Sequence, residues 1–405
     1  MKVRINKGKA RGYVEAPPSK SMAHRLLICA GLSAKECTVH GISESEDVLA
    51  TLDCLRAIGA SWERHGDSIT VRGADIRKAC TTDILKCRES GSTLRFFVPI
   101  CLVSGTNAVL SGSRRLFERP MGIYRTICEE RGLLFSQDEN SLMVKGPLRA
   151  GDFKLAGNVS SQFISGLLFA LPVLDKDSRI TITPPIESRS YIDMTISALS
   201  IFGVRAEWTD ENTIFVPGGQ KYEADEARVE GDYSNAAFFE ALNVLGGDVS
   251  VGNLSRDSIQ GDRVYGKMFE QLKEGTPILN VSDCPDLGPV LFAIAAAKNG
   301  GVFSGTSRLK IKESDRGSVM ARELRKFGAS ARVYDDEIVI YPAGFHAPDE
   351  PLLGYNDHRV VMAEAVLLTA TGGEIDGAEA VQKSFPDFFE KLQSLGIEVK
   401  KIENQ

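Results

Sequence analysis

A chain of 405 residues is long for a single hydrophobic core, so two domains are the starting expectation. With 43% hydrophobic and 25% charged residues, the balance is that of an ordinary globular protein. A formal net charge of −6 argues against a nucleic-acid binder, which carries a basic excess, while leaving room for local cation clusters that hold small anions.

The start, MKVRINKGKARGYVEAPPSK, lacks the apolar core of a secretory signal. The most apolar runs, such as Pro289–Ala297, are too short to span a membrane. A cytoplasmic location is therefore expected. Eight cysteines occur, seven of them within the first 128 residues, with no C-x-x-C pair and no zinc-type spacing. Cys29, Cys54 and Cys101 lie in apolar helical patterns, and free buried thiols are expected.

In chain order, two kinds of helix alternate. The first is apolar nearly all round: RLLICAGL (25–32), STLRFFVPICLV (92–103), SQFISGLLFALPVL (161–174), NAAFFEALNVLG (235–246), GPVLFAIAAA (288–297) and RVVMAEAVLLTA (359–370). Helices without a polar face belong in the middle of a domain. The second kind is amphipathic, with Leu52, Leu55 and Ile58 on one face. It ends at a Gly and runs into a β-rich strand. It occurs at 52–64, 127–136, 196–208, 268–281, 321–333 and 391–400. The glycines are Gly59, Gly132, Gly203, Gly275, Gly328 and Gly396, each suited to the positive φ that ends a helix. They recur at about 70 residues, except that the period breaks around Gly275. Strands such as SITVRG (68–73), RITIT (179–183) and EIVIY (337–341) fill the remainder. Six helix–strand repeats predict an α/β protein of two domains with three repeats each.

Polar, often basic, segments lead into the buried helices: PPSKSMAHR (17–25), ESGSTLR (89–95), GNVSSQ (157–162), SRSYID (188–193), DCPDLGP (283–289), KIKESDR (310–316) and NDHR (356–359). Any one of them is explained by helix capping. Capping does not call for Lys20, Arg25, Lys312, Arg316 or Arg359, since a cation at a helix N-terminus opposes the macrodipole. Together, helix N-termini and Lys/Arg side chains make anion sites. No GxxxxGK[ST] loop, no GxGxxG opening a helix and no G-x-S-x-G elbow is present. His24, His40, His65, His346 and His358 lack metal spacing. The acid–base candidates are Asp286, Lys312 and Glu313.

PPSKSMAHR, ESGSTLR, RRLFERP (114–120), NVSSQF, SRSYID, PDLGP, KIKESDR, NDHR and KSFPDFF (383–389) follow one another between Pro17 and Phe389. In this order they closely resemble the motifs of the 5-enolpyruvylshikimate-3-phosphate synthase family. The resemblance implies an inverse α/β barrel of two lobes, helices inside and sheets outside, six repeats in all. It places residues 1–18 and 229–405 in a lobe carrying donor and catalytic residues. Residues 19–228 form the lobe that binds shikimate 3-phosphate, with the active site in the cleft between.

The family's reaction joins phosphoenolpyruvate to the 5-hydroxyl of shikimate 3-phosphate through a tetrahedral intermediate, in aromatic amino acid biosynthesis. By matching position, Lys20, Ser21, Arg25, Ser160, Ser161, Gln162, Ser188, Tyr191, Asp286 and Lys312 are implied for shikimate 3-phosphate. Lys20, Gly91, Gln162, Arg119, Arg316, Arg359 and Lys383 are implied for phosphoenolpyruvate. Asp286, Lys312, Glu313 and Lys20 are implied for catalysis. No metal and no organic cofactor are implied, no nucleic-acid or membrane partner, and a monomer is expected.

Glu89 and Arg308 stand where many members carry Asn, which leaves subclass and affinity open. Gly91 is read as admitting close approach of a ligand, or else as serving a positive φ. In the family, Gly at this position goes with sensitivity to glyphosate, a ligand of the phosphoenolpyruvate site. Two rivals remain: a UDP-N-acetylglucosamine enolpyruvyl transferase, whose reactive Cys is missing from 111–120, and a non-catalytic repeat scaffold.

Overall fold

The computed structural model describes residues 1–78, 84–342 and 344–402. The chain forms two compact units, Met1–Pro17 with Gly231–Gln405, and Pro18–Glu230.

One plan recurs within each unit. A short strand leads to an all-apolar helix, then to a strand parallel to the first, an amphipathic helix and an antiparallel hairpin. In the Pro18–Glu230 unit, Leu85–Arg88 pairs parallel with Asn107–Gly112 across the helix Gly91–Leu102, and the hairpin Leu134–Gln137/Ser141–Lys145 completes four strands. Asp152–Ala156 and Ser178–Thr183 repeat this around the helix Ser161–Ala170. Glu226–Arg228 returns to pair with Glu36–His40, so the third repeat is closed by the end of the segment.

The two kinds of element occupy different layers because their sequences differ in period. Strand Ser178–Thr183 alternates buried and exposed residues, so each sheet keeps one wet face. Helix Gly91–Leu102 buries every residue but Ser92, and Gly288–Ala296 and His358–Thr369 are buried without a break. Helices of this kind stand inside and the sheets outside, as expected. Phe96, Phe97, Phe163 and Phe169 are completely buried on the inner helices, each contributing about 1.5–3 kcal/mol of burial. Each unit has its own apolar core.

Gly59, Gly132, Gly203, Gly328 and Gly396 end their helices at positive φ, as their positions suggest. Gly275 does not: its φ is −176°, extended backbone. The helix Tyr265–Glu274 has no hairpin after it. The chain runs through Pro277 straight into Ile278–Asn280, the first strand of the next repeat. This repeat keeps only Arg11–Glu15 and Asp248–Gly252, a two-stranded sheet. The missing hairpin explains why the period breaks there.

The other two sheets of this unit are four-stranded. Lys2–Ile5 lies between Gly373–Asp376 and Val399–Ile402, so both ends of the chain build one sheet. Cys29, Cys37, Cys54, Cys87, Cys101, Cys128 and Cys284 are buried and free, while Cys80 lies outside the described residues. Among the described residues no helix is long and apolar enough to cross a membrane.

Candidate active site

In the unit formed by Met1–Pro17 and Gly231–Gln405, charge gathers where three helices begin. The turn Pro285–Leu287 opens the helix Gly288–Ala297 and presents Asp286. Lys312 Nζ lies 3.1 Å and Arg316 Nη1 2.8 Å from its Oδ1, and Arg359 Nη2 3.4 Å from its Oδ2. Burial works against this carboxylate, but Lys312, Arg359 and Arg316 outweigh it and hold the carboxyl well below its usual range.

Arg316 opens its own helix and is 1% exposed. It also donates to Glu313 Oε2 at 2.8 Å and, from Nε, to Asp357 Oδ2 at 2.9 Å. Burial opposes its charge; Asp357, Glu313 and Asp286 more than restore it, so its pKa is raised. Lys312 is less well compensated. Burial, with Arg316 and Arg308 on the same side, brings it down to about 8 against the pull of Asp286 and Glu313. A lysine so placed can hold or release a proton near neutral pH.

Asp357 caps the helix His358–Thr371, its Oδ1 accepting from the Arg359 amide at 3.0 Å while Oδ2 takes Ser314 Oγ at 2.9 Å. One carboxylate thus serves as both helix cap and counter-ion. Arg359 Nη2 donates to Ser234 Oγ at 2.7 Å, and Ser234 to Asp232 Oδ1 at 2.5 Å. Lys383 Nζ donates to the Asn356 carbonyl at 2.7 Å, reaching the lead-in to the same helix.

In the Pro18–Glu230 unit, five helices pack in a closed ring: Lys20–Gly31, Glu46–Ala57, Gly91–Leu102, Ser161–Ala170 and Arg189–Ile201. A belt of side-chain bonds runs round it near the N-termini. Lys20 Nζ meets Asp47 Oδ2 at 2.7 Å. Arg95 Nη1 donates to Gln162 Oε1 at 2.6 Å, and Gln162 Nε2 to Ser92 Oγ at 2.9 Å. Ser165 and Thr195 bond at 2.7 Å. Arg25 closes the belt, giving Nε to Thr195, Nη1 to the Ser21 carbonyl and Nη2 to the Tyr191 carbonyl. It ties together two residues that sequence had placed in one ligand set. Burial lowers its pKa to about 10, so it stays charged at neutral pH.

Ser160 caps the Ser161–Ala170 helix, accepting from the Gln162 amide at 3.3 Å. Ser161 is buried behind it. Ser188 precedes its helix at φ 54°. Arg88, Ser188, Tyr355 and Asn356 all hold positive φ beside these lead-ins, a strain of about 1–3 kcal/mol each of the sort stored at functional sites.

Gly91 is helical, not at positive φ, which removes the backbone explanation for it. A Cβ there would lie 2.5 Å from Arg119 Nη1 and 2.8 Å from Cζ. The space a side chain would take here is held by the Arg119 guanidinium. Arg119 is 8% exposed. Among the described residues it has no ion-pair partner, and its Nε is buried without a hydrogen-bond partner.

The family described as EPSP synthase (3-phosphoshikimate 1-carboxyvinyltransferase) matches residues 5–392. The 3-phosphoshikimate 1-carboxyvinyltransferase of Clostridium perfringens is 37% identical over 98% of each chain, and that of Clostridium acetobutylicum 38% over 98% of each. The chain belongs to the EPSP synthase family. An EPSP synthase structure from Acinetobacter baumannii, 23% identical, superposes with a TM-score of 0.77 over 99% of this chain and 100% of that one. The enolpyruvyl transferase NikO from Streptomyces tendae gives 0.77 at 14% identity, covering 98% of each chain. Both establish the fold alone.

Within this EPSP synthase family chain, the structure brings Asp286, Lys312, Glu313, Arg316 and Arg359 into one cluster. Sequence reasoning missed Asp357, which it read only as part of N-D-H-R. Three carboxylates, Asp286, Glu313 and Asp357, face Lys312, Arg316 and Arg359. Asp47, Arg95 and Ser92 were missed as well. Their partners lie 27, 67 and 70 residues away, beyond any local pattern.

Proposed function

We propose that the protein transfers the enolpyruvyl group of phosphoenolpyruvate to the 5-hydroxyl of shikimate 3-phosphate; its relatives are named for a carboxyvinyl transfer to 3-phosphoshikimate. The observation that carries this reading is Arg119. A cation nine-tenths buried, without an ion-pair partner among the described residues and set beside the helix that begins at Gly91, is poised for an anion supplied by a substrate.

The acceptor oxygen adds to C2 of phosphoenolpyruvate while a proton goes to C3, giving a tetrahedral intermediate. Loss of a C3 proton and departure of phosphate then regenerate the double bond. Asp286, pinned as an anion by three cations, is a weak base and holds Lys312 in place. Lys312, with its pKa brought down to about 8, is the better acceptor of the 5-hydroxyl proton. Glu313 is assigned the C3 proton, and Lys20, Gly91, Arg119, Gln162, Arg316, Arg359 and Lys383 the donor. Ser21, Arg25, Ser160, Ser161, Ser188 and Tyr191, with Lys20, Gln162, Asp286 and Lys312, are assigned to shikimate 3-phosphate, which offers a phosphate and ring hydroxyls to such groups. A cytoplasmic monomer serving aromatic amino acid biosynthesis fits this role.

Phosphate release measured with phosphoenolpyruvate and each candidate acceptor tests the reading. Release with shikimate 3-phosphate and none with UDP-N-acetylglucosamine is expected. Release only with the latter, or with neither, overturns it.

A further inference from the structure

In the Pro18–Glu230 unit, a row of buried side chains crosses three helices without touching any residue assigned above to a substrate. His24 Nδ1 lies 2.7 Å from Thr51 Oγ1, and Thr51 Oγ1 2.8 Å from Thr93 Oγ1. Thr93 Oγ1 donates to Ser90 Oγ at 2.8 Å. His24 is 1% exposed and the other three are fully buried.

The proton count gives this row one direction. Each threonine hydroxyl has a single proton. Thr93 spends its own on Ser90, so Thr51 must donate to Thr93, and His24 must donate from Nδ1 to Thr51. The imidazole is then the Nδ1–H tautomer, leaving Nε2 as a bare lone pair. Nε2 is buried with no hydrogen-bond partner among the described residues, which a lone pair tolerates better than an N–H would. Burial, aided by Lys20 and Arg25, keeps the ring neutral.

Both ends of the row sit at the donor site proposed above. His24 lies one turn beyond Lys20 on the helix Lys20–Gly31, and Thr51 one turn beyond Asp47 on Glu46–Ala57. The two helices are therefore joined by two rungs, Lys20–Asp47 and His24–Thr51. The far end, Ser90, caps the helix Gly91–Leu102, also accepting from the Thr93 amide at 3.2 Å. The next residue is Gly91, against which the Arg119 guanidinium lies.

We propose that His24, Thr51 and Thr93 are positioning residues that hold the Lys20 helix and the Gly91 helix in the relation required to bind phosphoenolpyruvate. This rests on the assignment of Lys20, Gly91 and Arg119 to the donor. The row ends one turn from Lys20 and at the cap just before Gly91. Ser21 and Arg25 share the Lys20 helix, but Arg25 ties that helix to Thr195 and Tyr191, so cutting the row chiefly shifts the Gly91 helix. Its loss is therefore felt mainly by one substrate.

Thr51→Val keeps the shape and removes the hydroxyl, whereas Thr51→Ser keeps the hydroxyl and removes a methyl. A packing role would make Ser the worse substitution, and a positioning role makes Val the worse. With Thr51→Val, the KM for phosphoenolpyruvate is expected to rise about tenfold, the scale of a buried donor left unsatisfied. The KM for shikimate 3-phosphate should change about twofold at most. Thr51→Ser should recover most of the lost donor affinity. Thr93→Ala, which cuts the row nearer the cap, should shift the donor KM in the same direction, and serves where Thr51→Val does not fold. Equal effects on both substrates, or Ser no better than Val, would overturn the proposal.

Nitrogen-15 spectra of the histidine-labelled wild type supply a readout that needs no turnover. The Nδ1–H tautomer is expected at His24, assigned by its loss in His24→Gln. The Nε2–H tautomer there would refute the row itself. Absence of turnover with an Nδ1–H His24 would instead refute the functional reading on which the proposal rests.

Discussion

Arg316 and Asp357 are joined by a direct bond, Nε to Oδ2 at 2.9 Å, in a place where neither reaches solvent. The same carboxylate caps the helix that carries Arg359. Breaking a buried pair from one side leaves a charge without compensation. Asp357→Ala is therefore expected to cost about 3–5 kcal/mol of stability, read as a lowered urea midpoint. Asp357→Asn, which can still accept from the Arg359 amide, should cost less. Equal midpoints for wild type and Asp357→Ala would show that the pair is not formed.

Removal of a carboxylate from the Lys312 cluster should act on turnover. Asp286→Asn and Glu313→Gln are expected to lower kcat by about a hundredfold or more, the usual scale for general acid–base groups, with KM values within about threefold. Proportional loss of binding would mean that these residues hold substrate and do not move protons.

The pH dependence follows from Lys312, whose pKa is lowered from its ordinary value to about 8. If the neutral amine takes the acceptor proton, kcat/KM should rise with pH through about 8. Stability has a definite sign as well. Between the folded pKa near 8 and an unfolded value near about 10.4, the unfolded chain binds the extra proton, so this residue's contribution to stability increases with pH across that window. Lys312→Met should lack both effects in pH–rate profiles and in pH-dependent melts.

Gly91→Ala places a methyl 2.5 Å from the present position of Arg119 Nη1. The obstruction is the far end of a flexible side chain, and Gly91 has ordinary helical backbone, so the variant should fold with little change in melting temperature. The displaced guanidinium should raise the KM for phosphoenolpyruvate several-fold, and the inhibition constant of glyphosate more, since it is longer and occupies the same site in the family. An unchanged inhibition constant would place glyphosate away from Arg119.

Among the described residues Arg119 has no ion-pair partner and its Nε no hydrogen-bond partner, so its removal should not harm the fold. Arg119→Met is expected to melt at or above the wild-type temperature while losing most affinity for phosphoenolpyruvate. Addition of phosphoenolpyruvate should raise the melting temperature of the wild type but not of the variant. A destabilised variant would show that Arg119 is structural.

What the sequence determined by itself was whatever depends on local order. Apolar residues all round 92–103 and 288–297 marked helices that must be inside, and five of six glycines marked helix ends, because helical period and positive φ are properties of neighbouring residues. The order of short motifs from Pro17 to Phe389 sufficed for the family. Tertiary structure alone decided which charge meets which. Asp286 finds Arg316 and Arg359 across 30 and 73 residues, and Arg316 finds Asp357 across 41. It also decided that Gly91 faces an arginine, that Gly275 leads to no hairpin, and that His24 reaches Thr51. Such pairings depend on how separate helices pack, and no periodicity along the chain encodes the distance between two side chains on different helices.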